Sequence, residues 1–467
     1  ARLNERHDVR AAGRQRLDRA LGDPPDPLRL GDDCRCVDCE PRHRANLGDA
    51  VAVTDPLRIC IEARVDPGKA GGVVQGVLGL AHGLAQLEDG TEEYRFLVRP
   101  GHGDWLQPHL GPRSELLEAV RPAEPLPAPR LRTRVARGLR RRLDRGAPNA
   151  GELVAPTKGV AELWGARVVH FPTQQGFTTT IPTIYHPWDL QHVHLPEFFD
   201  DGDRRDRDLI YRSLCHQARV VVTPTRWGAE DVVANLDVPR RKLAVIPPAA
   251  PLTAYPEPTP EDFARVRAEY ALPSEFVLYP AQTWPHKNHL ALIDAVASLA
   301  RAGTAVHVVC PGWKTEHYSA LQGRLAETGV DGSFTFPDYV AGPDVAIMLR
   351  LTRALVFPSL FEGWGFPVLE AFAAGAPVAC SSIPPLLEVA GPAALTFDPR
   401  RPDDLADALR RVWTDDGLLR ELVERGRSRA RDFTWERTAR MSRAQYRRLA
   451  GSRLGEEDRT LIAEAAL

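Results

Sequence analysis

The sequence of 467 residues has no uninterrupted apolar run of about 18 residues, the length that a membrane-spanning helix needs. Its first six residues are largely charged and do not resemble the apolar segment of a secretory signal peptide. The formal net charge is only −2, so bulk electrostatics give no reason to expect a nucleic-acid partner. From these absences we expect a cytoplasmic protein without a membrane-spanning helix.

Cysteine is also scarce, with seven residues in the whole chain. Four of them lie far apart, mostly in apolar strand-like contexts: Cys60, Cys215, Cys310 and Cys380. This pattern is typical of reduced thiols in the cytoplasm. The other three are Cys34, Cys36 and Cys39, followed by His43. Thiolates and imidazole are zinc ligands, but this spacing fits no standard zinc finger. We therefore predict a disordered N-terminal extension over residues 1–55, with zinc binding as the alternative, and assign it no function.

The remaining chain has the composition of a globular protein, with 43% hydrophobic and 26% charged residues. Apolar strand-like segments alternate with helix-like segments, which predicts parallel sheets in an α/β fold. A Pro-rich stretch over residues 251–261 divides the series, so we predict domains at residues 56–250 and 262–432. A helix at residues 433–450 and a loosely held tail at residues 451–467 complete the chain.

One strand–loop–helix segment, residues 357–371, has the composition of a ligand site. Gly363 and Gly365 allow the backbone to approach a ligand closely. The unpaired N–H groups at the start of the following helix favour an anion. Glu362 and Glu370 cannot neutralise a phosphate, so we expect their carboxylates to accept hydrogen bonds from hydroxyl groups. The combination suits a sugar nucleotide; a strand–loop–helix turn with surface glutamates is the alternative.

The two glutamates with seven residues between them resemble the signature of glycosyltransferase family 4, whose members are retaining enzymes of GT-B fold. The resemblance covers roughly residues 57–445. It implies two Rossmann-like domains that face each other across a cleft, with the nucleotide held mainly by the second. It also implies that Glu362 binds hydroxyls of the donor sugar and Glu370 those of the ribose. The backbone N–H groups of Gly365 and Phe366 would stabilise the diphosphate.

A second match to the family follows the first strand of the second domain. Lys287 matches the lysine that contacts the donor diphosphate in the family. Most members carry an arginine five residues earlier, where this chain has Gln282, an amide without charge. Either another cation compensates or diphosphate binding is weaker. Trp284 and His286 beside the lysine resemble a subgroup associated with O-antigen and mannosyl transfer.

Two further matches lie in the first domain. Gly71 and Gly72 follow its first strand, where the family places a loop beside the donor sugar and the acceptor. His186 and Asp189 resemble a His-Asp-Leu-Gln segment, although Pro187-Trp188 separates the two residues here. The resemblance implies that His186 contacts the donor sugar and that Asp189 orients it or the acceptor. The insertion leaves open which of the two keeps the role.

Three other patterns have two interpretations each. Asp189 lies among His186, His192 and His194, but their spacing forms no ligand set, so we expect no metal. The motif at residues 201–203 spells a metal-binding DxD, yet its charged neighbours favour a solvated loop or a helix start. The Arg-rich segment at residues 130–145 reads either as a membrane-surface helix or as a solvated helix.

The resemblance therefore predicts a retaining, metal-independent glycosyltransferase without a cofactor. Its donor would be a nucleotide-diphosphate sugar, most simply GDP-mannose, and its acceptor a saccharide or lipid-linked saccharide in cell-surface polysaccharide or glycolipid synthesis. It would act in the cytoplasm, with a peripheral contact at the inner membrane face through residues 130–145 as an option. Two alternatives are a sugar-nucleotide-binding protein without transferase activity and a GT-B epimerase.

Overall fold

The computed structural model describes residues 55–67, 71–118, 159–251 and 255–467. The cysteine cluster at residues 34–39 and the Arg-rich segment at residues 130–145 lie outside the described residues. Within the described part, Cys60, Cys215, Cys310 and Cys380 are free and buried. None of the helices in this part is both long enough and apolar enough to cross a membrane.

The first sheet has seven parallel strands in the order β3-β2-β1-β4-β5-β6-β7. They are β1 (Arg58–Glu62), β2 (Glu93–Val98), β3 (Ser114–Glu118), β4 (Val168–Phe171), β5 (Thr183–Tyr185), β6 (Val220–Thr223) and β7 (Leu243–Val245). Central strands such as β6, with sequence VVVT, are buried along their whole length. Helices cover both faces of a parallel sheet, so its strands are continuously apolar rather than alternating. The edge strand β3 was not predicted because its sequence, SELLE, mixes polar and apolar residues. In the structure this strand is only half-buried.

The second sheet has six parallel strands in the order β10-β9-β8-β11-β12-β13. They are β8 (Val277–Leu278), β9 (Val308–Val309), β10 (Phe334–Thr335), β11 (Ala354–Phe357), β12 (Val378–Ser381) and β13 (Leu395–Phe397). Both sheets are doubly wound, which confirms the prediction of two Rossmann-like domains.

Fifteen α-helices belong to the described residues. In the first domain they are α1 (Gly72–Ala85), α2 (Val160–Trp164), α3 (Gln191–His194), α4 (Asp201–Gln217) and α5 (Arg226–Leu236). In the second they are α6 (Pro260–Glu269), α7 (His289–Arg301), α8 (Tyr318–Thr328), α9 (Gly342–Leu351), α10 (Phe366–Ala374), α11 (Pro384–Ala390), α12 (Pro402–Thr414) and α13 (Asp416–Ala430). The last two are α14 (Trp435–Leu449) and α15 (Glu456–Ala465).

Helix α14 returns to the first domain and packs against α1. The contact is close because α1 carries glycines where the two helices meet. A Cβ at Gly79 would lie 1.9 Å from the Trp435 ring, and a Cβ at Gly83 would lie 2.3 Å from the Trp435 carbonyl oxygen. The Trp435 indole N–H donates to the Ala250 carbonyl at 3.0 Å. The returning helix is therefore part of the core of the first domain.

The chain after Gly451 differs from the loosely held tail that the sequence predicted. Helix α15 packs against α14, and Leu461 and Ala465, one helical turn apart, are buried. Asp458 pairs with Arg447 of α14 at 3.1 Å. Beyond α15, Ala466 forms an antiparallel bridge with a residue of β7. The prediction was wrong because a single apolar turn among charged residues is a weak signal without its partner surface.

Candidate active site

The predicted site residues lie in loops that follow the carboxyl ends of parallel strands in both domains. Gly71 follows β1, His186 follows β5, Gln282 follows β8 and Glu362 follows β11. Ligands of open α/β sheets bind at these strand ends. The arrangement brings side chains of both domains to one cleft.

Lys287 and Glu362 form an ion pair in this cleft. Lys287 Nζ lies 2.5 Å from a carboxylate oxygen of Glu362, and the two side chains are 19% and 13% exposed. A short 3₁₀ turn ends at Lys287, and Asn288 follows it in the left-handed conformation with φ 62°. The hydroxyl of Tyr279 donates to the carbonyl of Lys287 at 2.6 Å, which holds this turn against the sheet. The ammonium is therefore positioned before any ligand arrives.

The Pro187-Trp188 insertion forms a turn beside the same cleft, and Asp189 follows it. Trp188 adopts φ 65°, an uncommon backbone conformation for a large side chain. Its indole N–H donates to the Pro172 carbonyl at 2.9 Å, which anchors the turn. The Asp189 carboxylate accepts from the Gln191 backbone N–H at 3.1 Å. Asp189 is thus held by its own turn beside the loop that carries Glu362, and its role in the site stays a prediction.

Asp189 lies against the loop that carries Glu362. A Cβ at Gly363 would be 3.1 Å from Asp189 Cβ and 2.5 Å from the Trp188 carbonyl oxygen, so only glycine fits there. Burial raises the pKa of Asp189, and the nearby Glu362 carboxylate raises it further. The positive charge of Lys287 opposes this increase. Gly363 therefore allows the two domains to approach closely, and its predicted contact with a ligand stays a prediction.

His186 is held by a second histidine that sequence analysis did not assign to the site. Its Nε2 lies 2.8 Å from Nε2 of His170 on β4, and His170 Nδ1 lies 2.6 Å from the Tyr446 hydroxyl on α14. Burial lowers the pKa of His186 to about 3 and that of His170 well below its ordinary value. Both imidazoles are therefore neutral at pH 7. No local motif signals Tyr446, because it reaches the site only through the returning helix.

The first-domain glycines face the second domain. A Cβ at Gly71, where φ is 51°, would lie 3.9 Å from the Gln282 side-chain amide. A Cβ at Gly72 would lie 3.1 Å from the ring of Phe366, the first residue of α10. Gly365 precedes it with φ 105°, a conformation that side chains rarely adopt. Both predicted glycine loops therefore meet at the mouth of the cleft.

Gln282, at the position where the resemblance leads us to expect arginine, is hydrogen-bonded to a neighbouring side chain. Its side-chain carbonyl accepts from the Trp284 indole N–H at 2.7 Å. The amide nitrogen of Gln282 lies near Gly71, since a Cβ at Gly71 would be 3.9 Å from it. The residue therefore lies at the cleft with an amide side chain that carries no formal charge.

Glu370 is buried in the second turn of α10, with 8% of its surface exposed. Burial raises its pKa to about 7. Tyr255 lies near it: burial raises the pKa of Tyr255 to about 12, and the charge of Glu370 contributes. The Tyr255 hydroxyl donates to Gln75 of α1 at 3.0 Å. A carboxyl group that changes charge near neutral pH thus lies at this end of the site, apart from the Lys287–Glu362 pair.

This pKa leads to a prediction for nucleotide binding. If the ionised Glu370 accepts hydrogen bonds from ribose hydroxyls, binding requires the deprotonated form and weakens as the pH falls below about 7. We expect the Kd for GDP to rise about tenfold between pH 8 and pH 6, the change for one group with this pKa. Calorimetric titrations across this range measure it.

The matched control for this prediction is Glu370→Gln, which keeps the shape of the side chain and cannot ionise. GDP also titrates, so the variant separates the ligand's protons from those of Glu370. The pH dependence should flatten in Glu370→Gln. An equal pH dependence in both proteins would remove Glu370 from the ribose site.

Two contacts close the cleft on the side of α5. The Glu388 carboxylate of α11 accepts from the backbone N–H groups of Arg226 and Trp227 at 2.8 and 2.6 Å. These donors lie at the start of α5, where they have no partner within the helix. In addition, His194 stacks on Phe361, the neighbour of Glu362, with ring centroids 5.1 Å apart. The loop of the signature glutamates is therefore fixed by the first domain as well.

The described residues contain no group of three or more His, Cys, Asp or Glu side chains arranged to hold a metal ion. His194 is instead bonded to Asp231 at 2.7 Å, and that bond raises its pKa. The DxD residues form the first turn of α4, whose N-cap Asp200 accepts from the Asp203 N–H at 2.8 Å. A helix start is the interpretation that the charge pattern favoured.

Comparison with known families gives two matches in chain order. A model described as glycosyl transferase 4-like domain matches residues 71–249, and a model described as glycosyl transferases group 1 matches residues 262–429. Between them they cover the whole second sheet, all strands of the first sheet except β1, and the segments that carry Lys287, Glu362, His186 and Asp189.

Among curated proteins, the serotype-specific mannosyltransferase WbdA of Escherichia coli is 28% identical over 289 residues. The match covers 59% of this chain and 35% of WbdA. The O-antigen chain mannosyltransferase B of Escherichia coli is 25% identical, over 54% of this chain and 66% of the relative. The chain thus matches about a third and about two thirds, respectively, of the length of these relatives.

Solved structures share the fold at low identity. Sucrose-phosphate synthase from Thermosynechococcus elongatus superimposes with a TM-score of 0.62 and 20% identity, covering 84% of this chain and 99% of the other. An Anabaena protein, HepE, in complex with UDP and glucose gives 0.62 and 16%, covering 83% and 99%. With both domain models matched, the chain belongs to glycosyltransferase family 4 and has the GT-B fold.

Proposed function

We propose that the protein is a retaining glycosyltransferase that moves mannose from GDP-mannose to a hydroxyl of a saccharide or lipid-linked saccharide. The observation that carries the proposal is the Lys287–Glu362 pair near Asp189, which places a cation and carboxylates in one cleft. The mannosyltransferase relatives support the choice of sugar. The reaction belongs to the synthesis of cell-surface polysaccharide or glycolipid, in the cytoplasm.

In the proposed mechanism, Lys287 binds the diphosphate of the donor, and Glu362 turns from the lysine towards hydroxyls of the sugar. The N–H groups at the start of α10 face the same diphosphate. Fixed donors of this kind stabilise the charge that develops on the leaving group. The leaving diphosphate takes the acceptor proton as the new bond forms on the same face of the sugar. Lysine and the helix start supply the positive potential that a metal would otherwise provide.

The first test is thermal unfolding with GDP-, UDP- and ADP-sugars. A ligand at 100 times its Kd adds about 2.7 kcal/mol to the free energy of unfolding. We expect GDP-mannose to raise the melting temperature by several degrees and the other sugars to act weakly. Lys287→Ala is the control, and it should reduce the shift by half or more at the same ligand concentration. Stabilisation by UDP-glucose alone would overturn the choice of donor.

A second assay separates transfer from the two alternatives. GDP-mannose is incubated with the protein, with and without an extract of lipid-linked saccharides, and GDP release and the sugar products are followed. Transfer predicts GDP release that increases with acceptor. An isomerised sugar without acceptor would indicate an epimerase, and binding without any turnover would indicate a non-catalytic sugar-nucleotide-binding protein.

A further inference from the structure

A chain of three side chains connects the returning helix α14 to the cleft. It runs from the Tyr446 hydroxyl to His170 over 2.6 Å and from His170 to His186 over 2.8 Å. Tyr446 and His170 are almost completely buried, at 0% and 1% exposure. Buried polar atoms need hydrogen-bond partners, and here the partners are one another.

The number of ring protons on the two histidines limits the ways in which hydrogen bonds can be donated along this chain. A neutral imidazole carries one ring proton, so in the Nε2–Nε2 contact one ring donates and the other accepts. A phenol is a stronger donor than acceptor, so we assign the hydroxyl of Tyr446 as the hydrogen-bond donor and Nδ1 of His170 as the acceptor. His170 then carries its own proton on Nε2, and this N–H donates a hydrogen bond to Nε2 of His186. His186 is left with its proton on Nδ1, and this nitrogen is free of the chain.

We propose that Tyr446 is a positioning residue for glycosyl transfer, because through His170 it fixes the ring of His186 and presents its Nδ1–H to the hydroxyls of the donor sugar. The inference rests on the proposed function, in which His186 contacts that sugar. The proposal adds Tyr446 of the returning helix α14 to a site whose other residues lie mainly in loops at strand ends. The ring of Trp188, 5.9 Å from that of His186, packs on its other side.

The direct test is nitrogen NMR of the protein labelled with ¹⁵N-histidine, with signals assigned through His186→Asn and His170→Asn. We expect His186 to be protonated on Nδ1 and His170 on Nε2. In Tyr446→Phe, His170 loses its donor, and the His186 signals should shift towards a mixture of tautomers. A His186 proton on Nε2, or unchanged signals in Tyr446→Phe, would overturn the proposal. This measurement needs no donor, so it is independent of the proposed function.

The kinetic test uses GDP-mannose turnover. Loss of one orienting hydrogen bond should lower kcat about fivefold to tenfold in Tyr446→Phe, with little change in KM. Tyr94→Phe is the matched control, because Tyr94 is also buried and its ring centroid lies 6.3 Å from that of Tyr446. Tyr94 is not part of the hydrogen-bond chain to His186. An equal fall in kcat in both variants would overturn the proposal. Absence of turnover in the unmodified protein would instead count against the proposed function.

Discussion

Replacement of Lys287 by alanine is expected to lower kcat/KM for GDP-mannose by about 10- to 150-fold. A hydrogen bond to a charged group contributes about 1.5–3 kcal/mol, and each 1.4 kcal/mol corresponds to about a factor of ten. The ammonium is only 19% exposed and is held by its turn, so little rearrangement could replace it. Steady-state kinetics of GDP release measure the effect. An unchanged kcat/KM would remove Lys287 from the donor site.

The ion pair with Glu362 offers a second explanation of such a loss, and a double variant distinguishes the two. Without Lys287, the Glu362 carboxylate would stand unneutralised in the cleft and repel the diphosphate. If Lys287 only neutralises Glu362, then Lys287→Ala combined with Glu362→Gln should recover the affinity for GDP, which lacks the sugar that Glu362 is proposed to bind. If Lys287 binds the diphosphate, the Kd for GDP should stay high in the double variant. Lys242→Ala is the control, because Lys242 lies at the amino end of β7, whereas the cleft lies at the carboxyl ends of the strands.

Replacement of Gly79 by alanine is expected to destabilise the protein by about 1–3 kcal/mol, the usual effect of an added methyl group in a packed core. The new Cβ would lie 1.9 Å from the Trp435 ring. That ring cannot move away freely because its N–H is bonded to the Ala250 carbonyl. Thermal unfolding should show a melting temperature lower by several degrees.

Gly323→Ala is the matched control for Gly79→Ala. Gly323 lies inside α8, and a Cβ there would have nothing within 4 Å. The same substitution should therefore stabilise the protein by about 0.4–1 kcal/mol, because it reduces the freedom of the unfolded chain. Opposite signs for the two variants would identify the helix contact as the cause. Destabilisation of similar size in both would contradict it.

Much of the fold could be predicted from the sequence because the strands are short, apolar and separated by clear turn signals. The segment VVVT of β6 and the sequence ALVF of β11 are buried at every position, and such runs are easily read. The half-polar edge strand β3 and the last helix α15 gave much weaker signals. Their burial depends on partners that are distant in the sequence, such as Ala244 for the chain end.

The site could be predicted only as far as local motifs reach. Lys287 and Glu362 each belong to a recognisable segment, and the structure brings them together. Nothing in either segment indicates that they pair, or that the Trp188 carbonyl oxygen lies so close to Gly363 that only glycine fits there. Tyr446 is 260 residues from His186 in the chain, so only the three-dimensional path of α14 brings it close. The roles of these residues in catalysis remain predictions for the experiments above.

The packing of α14 on α1 has a consequence for the order of events at the ribosome. The first domain is synthesised long before Trp435, so until then the glycine face of α1 stays without its cover and His170 without Tyr446. The second domain, by contrast, is contiguous in the chain. We therefore expect the second domain to reach its native packing as soon as it has left the ribosome, and the first domain to finish only with the last helices. A chain cut off before Trp435 would therefore present an incomplete first domain to the second domain.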